Sequence, residues 1–411
     1  MNSQSEKLKI AIFVSHFPVL SETFIYNQCI SLLKLGHEVK IYSRNKVKFN
    51  IIHKEIMDSD LFNNVTYIPI LHSNWLLRTL KAILFILKNI FALSKILPTL
   101  NFFKYKKDAF RLNIFFNSIP FLPFKEFDVI HCHFGYVGND ILKLIEIGIL
   151  KGKFITSFHG IDLSNQILKT QCYDQLFSIS DFLIANTSFT KKKLLALNCP
   201  SIKIKIIPVG LDIHKFSPRK KLPITEEKFK LISIGRLIEV KGMQNCINVM
   251  DLLVNENNIK NVILTIIGEG PLLSNLENQI AELKLGSYIN LIGKQTQEEI
   301  INRLQESQIF LLLGNKDGNG REETQGLVIQ EAQAMEVPVI ASNFGGVAEG
   351  LIDGVTGFLV DPGDIFKATS LIINLINNPT LINKMGKNAR KFVVNKYDQR
   401  LITAQLLNLY Y

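Results

Sequence analysis

Short apolar runs alternating with stretches of helical periodicity constrain the fold of this chain more than any other feature. The runs are Lys9 to Val14, Glu38 to Tyr42, Val129 to Cys132, Phe154 to Phe158, Phe182 to Ala185 and Ile204 to Pro208. The rhythm starts again at Leu231 to Ile234, Val262 to Ile267, Ile289 to Leu291, Ile309 to Leu312 and Val337 to Ala341. Strand runs separated by helical patterns are the signature of a doubly wound α/β fold, and two such series imply two Rossmann-like domains. Between the series, Ser217-Pro218-Arg219-Lys220-Lys221-Leu222-Pro223 carries two prolines and three charges, which is linker chemistry. The boundary is expected near residue 215, giving an N-terminal domain over 1–214 and a C-terminal domain over 215–396. With 411 residues, 47% of them hydrophobic, the chain is long enough for two cores.

The most chemically pointed stretch runs from Gly320 to Asp364. A helix is expected from about Leu327 to Met335, so the backbone N–H groups around Thr324, Gln325, Gly326 and Leu327 lack helical partners and make an anion site. Glu323, just before it, reads equally well as a complement to the helix dipole. Glu331 reads differently, because it sits among Val328, Ile329, Ala332 and Ala334 beside the apolar Val337 to Ile340, and a charge there needs partners. Sugar hydroxyls suit carboxylates while the helix N-terminus takes phosphates, so the pair predicts a nucleotide-sugar site. Arg236 and Lys241 follow the Leu231 to Ile234 strand and could supply countercharge to a diphosphate; taken alone, such a pair is more often solvated surface. Gly268-Glu269-Gly270 reads as a tight turn rather than a cofactor contact.

The first half offers His131-Cys132-His133 and His159-Gly160-Ile161-Asp162 at the ends of strands, where ligands of parallel sheets gather. His131, inside its strand, reads as structural; His133 and His159 are the candidates for the cleft. Zinc is a competing reading, but no array of cysteines or carboxylates accompanies these histidines. After the first strand comes a polar loop, with His16, Ser21 and Glu22 ahead of Phe24, which either caps the next helix or faces the cleft.

Glu323, seven residues, Glu331, then AQAMEVPVIAS, Gly345-Gly346, Glu349 and Asp353-Gly354-x-x-Gly357 resemble the donor site of the retaining GT-B glycosyltransferases of family four. Gly235-Arg236 with Lys241-Gly242 matches that family's G-R-x-x-x-x-K-G, and Phe17-Pro18-x-x-Ser21-Glu22-Thr23-Phe24-Ile25 resembles a segment of its bacterial exopolysaccharide and lipopolysaccharide subgroup. The resemblance covers nearly the whole chain. It implies two Rossmann-like domains facing a central cleft, with a final helix, 397–411, crossing back to the first domain. It further implies that Arg236 and Lys241 hold the donor phosphates, Glu323 the hexose hydroxyls and Glu331 the ribose. Thr324, Gln325, Gly326 and Leu327 complete the donor site. His133 joins Glu323, Arg236 and Lys241 as catalytic, while His16, Ser21, Glu22, His159 and Asp162 lie on the acceptor side. Family members often place Gly and an aromatic residue after the first glutamate, where this chain has Thr324-Gln325. No metal and no cofactor are implied beyond the nucleoside-diphosphate sugar as substrate. A nucleotide-sugar epimerase of the same fold is the alternative enzyme.

The net charge of +11 admits nucleic acid, an anionic membrane or an acidic substrate. Its distribution is uneven: Arg78, Lys81, Lys88, Lys95, Lys104, Lys106, Lys107 and Arg111 face one acid, Asp108, among long apolar runs. Without aromatic stacking motifs between the cations, nucleic acid is disfavoured. The charge-free stretches are too short to span a bilayer, so the segment is either an interfacial amphipathic structure on an anionic membrane or a core helix with a thin cationic stripe. The five cysteines form no C-x-x-C pair and read as reduced thiols. No export signal is visible at the amino terminus. The expected place is the cytoplasm, peripheral on the inner face of the cell membrane, with a glycan or lipid-linked glycan as acceptor.

Overall fold

A computed structural model describes residues 6–19, 22–46, 60–69, 74–122, 125–218 and 228–411. The first sheet contains β1 (Lys9–Phe17), β2 (Glu38–Lys46), β3 (Val65–Tyr67), β4 (Lys125–His133), β5 (Leu150–Phe158), β6 (Phe182–Ala185) and β7 (Ile204–Ile206), in the order β3-β2-β1-β4-β5-β6-β7. The second contains β8 (Phe229–Ile234), β9 (Val262–Ile267), β10 (Ile289–Leu291), β11 (Ile309–Leu312), β12 (Val339–Ser342) and β13 (Gly357–Val360), in the order β10-β9-β8-β11-β12-β13. Every pairing in both sheets is parallel. Each sheet separates two apolar clusters, so its central strands are covered on both faces and carry apolar runs such as Ile10 to Val14 and Ile309 to Leu312. The two-domain α/β architecture is the one the apolar rhythm predicts.

Two strands lack that signal. β3 is three residues, all only half-buried, and β13 opens on a glycine. Gly357 is required there, because a Cβ would stand 2.2 Å from the Val339 carbonyl oxygen of the neighbouring strand.

Four helices position the rest: α1 (Thr23–Lys34), α2 (Trp75–Lys88), α3 (Gly135–Glu146) and α4 (Leu327–Ala334). The chain ends with α5 (Pro379–Tyr397) and α6 (Gln399–Tyr410). Asp398 breaks the two apart and caps α6 by accepting from the Arg400 N–H at 2.9 Å. At the same point the chain meets the end of the first domain, where the Leu211 N–H donates to the Tyr397 carbonyl at 2.7 Å and the Gln399 N–H to the Leu211 carbonyl at 2.9 Å. α6 packs Ile402, Leu406 and Tyr410 into the first domain's core beside β1 and α1. Gln28 of α1 donates to the Tyr410 hydroxyl at 3.1 Å.

Candidate active site

The carboxyl ends of β1, β4 and β5 face those of β8 and β11, so the loops after these strands meet between the domains. On the second-domain side, β8 ends in Gly235-Arg236 and then turns through Glu239–Lys241. Gly242 takes φ +67°, and a Cβ on it would lie 2.0 Å from the Leu313 carbonyl oxygen, so only glycine lets this turn close on the loop after β11. That closure brings the Lys241 ammonium into an ion pair with the Glu323 carboxylate. Burial pushes the Glu323 carboxyl up, but Lys241 and the backbone N–H groups of Gly326 and Thr324 outweigh it and hold the group below the ordinary glutamate range. It is an ionised, pre-aimed acceptor of hydrogen bonds.

Gly345 and Gly346 fix the position of Glu323 from behind. The Gly346 N–H donates to the Glu323 carbonyl at 2.8 Å, and a Cβ on Gly346 would stand 1.8 Å from the Thr324 carbonyl oxygen. The paired glycines therefore belong to the support of the site. Gly326, at φ +71°, starts α4, which carries Glu331 one turn in. The Glu331 carboxyl is half-buried, and burial pushes it up to about 7 against the pull of Lys241 and Lys215. Lys241 thus acts on both glutamates, and Arg236 stands exposed at the mouth.

Thr324 and Gln325 point elsewhere. The Thr324 hydroxyl donates to the His159 carbonyl at 3.0 Å and accepts from Asn186 Nδ2 at 3.3 Å, both across the domain seam. Gln325 makes a reciprocal pair with Val209, accepting from its N–H at 2.8 Å and donating to its carbonyl at 3.0 Å. These side chains join the domains; the anion site expected here is one of backbone N–H groups, of which those of Thr324 and Gly326 also stand against the Glu323 carboxylate. Glu349 also joins the domains, accepting from the Ser188 and Phe189 N–H groups at 2.8 and 2.9 Å. Lys193 adds an ion pair to Glu322 at 2.9 Å. The motif containing Glu349 was visible in the sequence; its partner across the seam was not.

On the first-domain side, Glu22 stands at the start of α1 without capping it through its side chain. Burial pushes its carboxyl up to about 7, opposed by the positive charge of Arg236 across the cleft. His16 is exposed and lies 3.2 Å from Asn45 Nδ2, while Ser21 lies outside the described residues. His159 is half-buried, packed against Phe24 and Phe134.

His133 is 1% exposed, and its Nδ1 lies 3.0 Å from His159 Nε2. With Phe24, His159 and Gly210 it lines the cavity at this end of the first sheet. One expectation needs correction here, that Asp162 faces the acceptor. Asp162 is fully buried, and its carboxylate accepts from the N–H groups of Gly135, His159 and Gly160. It ties the loops after β4 and β5 together rather than meeting an acceptor. His131 is structural as expected, placed between the Tyr410 hydroxyl at 2.6 Å and the Ser157 hydroxyl at 2.7 Å. Burial keeps the His131 and His159 imidazoles neutral, down to about 3. Among the described residues, no three His, Cys, Asp or Glu side chains stand where they could hold a metal ion.

The arrangement is a cleft with cations and two carboxylates on one wall and a carboxyl and a histidine on the other. Residues 21–215 match the family described as Glycosyltransferase Family 4, and residues 215–392 match Glycosyl transferases group 1. The chain is 28% identical to the amylovoran biosynthesis glycosyltransferase AmsK of Erwinia amylovora, over 98% of this chain and 99% of that one. It is 27% identical, with the same coverage, to the putative colanic acid biosynthesis glycosyltransferase WcaL of Escherichia coli K12. In fold it resembles Anabaena HepE, whose crystal structure holds UDP and glucose, with a TM-score of 0.71, 16% identity and 98% of each chain covered. Two parallel-sheet domains, a Lys241–Glu323 cleft between them and family matches running from residue 21 to residue 392 place this chain in glycosyltransferase family 4, as a hexosyltransferase of the GT-B fold.

Proposed function

We propose that this cleft transfers a hexose from a nucleoside-diphosphate sugar to a hydroxyl of a lipid-linked glycan during exopolysaccharide or lipopolysaccharide assembly, on the cytoplasmic side of the membrane, with retention at the anomeric carbon. The observation that carries the reading is the Lys241–Glu323 ion pair beside Glu331 and Arg236. The names of AmsK and WcaL support a surface polysaccharide as product, and the UDP and glucose held by HepE support a nucleotide sugar as donor.

In this mechanism Arg236 and Lys241 neutralise the diphosphate, aided by the amides at the start of α4, and they do so increasingly as negative charge grows on it. Glu323 accepts hydrogen bonds from the hexose hydroxyls and Glu331 from the ribose. The acceptor hydroxyl enters from the wall formed by Glu22, His16 and His159. The bond from the anomeric carbon to the phosphate oxygen breaks while the bond to the acceptor oxygen forms on the same face. The departing phosphate oxygen takes the acceptor proton, so the step needs no separate base.

Calorimetric titration with a panel of UDP- and GDP-sugars tests the donor site. At least one member should bind, and Lys241→Met should weaken it by tenfold or more, about 1.4 kcal/mol. Failure of every nucleotide sugar to bind the folded protein, or unchanged affinity in Lys241→Met, would remove the site from the reaction.

A further inference from the structure

Thirteen of the twenty-five exposed large hydrophobic side chains among the described residues fall between Trp75 and Phe110. This concentration overturns the reading of the segment as a core helix: of the fourteen residues of α2, Ala82 alone is buried. Wound at about 3.6 residues per turn, α2 sets Ala82 and Ile86 toward the protein and Leu76, Leu80, Ile83, Leu84 and Leu87 on the opposite arc, with Lys81 and Lys88 along its edge. Beyond α2, Phe91 and Phe103 are fully exposed, at 101% and 97%.

The segment is nonetheless folded and fixed. Asn74 caps α2 by accepting from the Leu76 and Leu77 N–H groups. Ala82, Ile96, Leu112, Phe115 and Phe116 form a small core of their own beneath it. Asp108 pairs with Lys143 at 2.5 Å and Lys104 with Glu146 at 3.4 Å, anchoring the segment to α3. The apolar side chains therefore project from a built surface.

We propose that residues 75–110 form a docking surface for an anionic lipid bilayer, with the outer arc of α2, Phe91 and Phe103 entering the headgroup and acyl boundary and the flanking lysines meeting acidic headgroups. The proposal rests on this surface alone and is independent of which sugar is transferred. No described helix is long and apolar enough to cross a membrane, so insertion is shallow. The charge argues for lipid over protein: the segment from Trp75 to Arg111 carries eight cations against one acid, and lysine is depleted from the centres of protein interfaces but suited to acidic headgroups. Such docking would bring the first domain, which carries the acceptor wall, to the plane in which a lipid-linked acceptor lies.

The chain supplies its own probe, because Trp75 is its single tryptophan and is half-exposed at the start of α2. The full-length protein is titrated with vesicles of phosphatidylcholine alone and of phosphatidylcholine with roughly one third phosphatidylglycerol. The acidic vesicles should shift Trp75 emission to the blue and carry the protein upward on flotation, and brominated acyl chains should quench it. Phe91→Ser with Phe103→Ser, and separately Lys81→Glu with Lys88→Glu, should each weaken binding by tenfold or more with unchanged thermal unfolding and nucleotide-sugar affinity. Unchanged Trp75 emission with both vesicle types overturns the proposal. So does vesicle binding indifferent to both variants. A concentration-dependent dimer in sedimentation that the phenylalanine variant abolishes, without vesicle binding by the native chain, assigns the surface to a second copy and equally overturns it.

Discussion

Glu331 should make donor binding depend on pH in a direction the structure specifies. Its carboxyl is pushed up to about 7 by burial on α4, so the free protein carries it largely protonated below that value and ionised above. Ribose hydroxyls donate best to a carboxylate, and a nucleotide that requires the ionised form competes with the proton. For a group titrating at about 7, the ionised fraction rises from about 0.09 at pH 6 to about 0.9 at pH 8. Affinity for an intact nucleotide sugar should rise about tenfold over that interval, with about half a proton released per donor bound near neutrality. Glu22 works against this. It too titrates at about 7, and once ionised it competes with the donor phosphates for Arg236, which lowers affinity as pH rises.

The two are separated in the Glu22→Gln background, where only the Glu331 effect remains. Calorimetry there, in two buffers of unlike ionisation enthalpy, reads both the affinity and the proton count. Glu331→Gln in the same background should flatten the pH dependence. An affinity that is flat or falling from pH 6 to 8 in Glu22→Gln, or proton uptake on binding, would refute the ribose role of Glu331.

Glu323→Gln keeps the shape of the side chain but removes the charge facing Lys241, and it should lower kcat by a hundredfold or more; near-normal turnover would take Glu323 out of the mechanism. Gln325→Ala leaves the half-buried N–H and carbonyl of Val209 without their partner across the seam. It should cost about 1–3 kcal/mol, read as a fall in thermal midpoint of a few degrees; a shift under about one degree would show that the pair does not hold the domains together.

Much of this molecule was legible in the sequence because it depends on local periodicity. The apolar strand runs and the helix after Gly326 each leave a signal within a window of a dozen residues, while the linker expected over Arg219 to Pro223 lies outside the described residues. β3 and β13 left none, being short edge or near-edge strands whose pairing comes from a neighbour. The site divides in the same way. Glu323, Glu331, Arg236 and Lys241 sit on loops whose glycines announce a tight backbone. Which way a polar side chain points was not legible: Asp162 turns inward to three N–H groups, and Thr324 and Gln325 reach residues more than a hundred positions away. The α2 segment carries the complementary lesson, since a run of leucines and phenylalanines is compatible with a core until the burial of each side chain is seen.

The stereochemistry of transfer tests the central claim most directly, and it does not require the acceptor to be known. With an α-linked nucleotide hexose and water as acceptor, proton NMR of the first sugar released, recorded before mutarotation, should show the α anomer in the native protein and almost no release in Lys241→Met. A β anomer appearing first would contradict same-face substitution in this cleft.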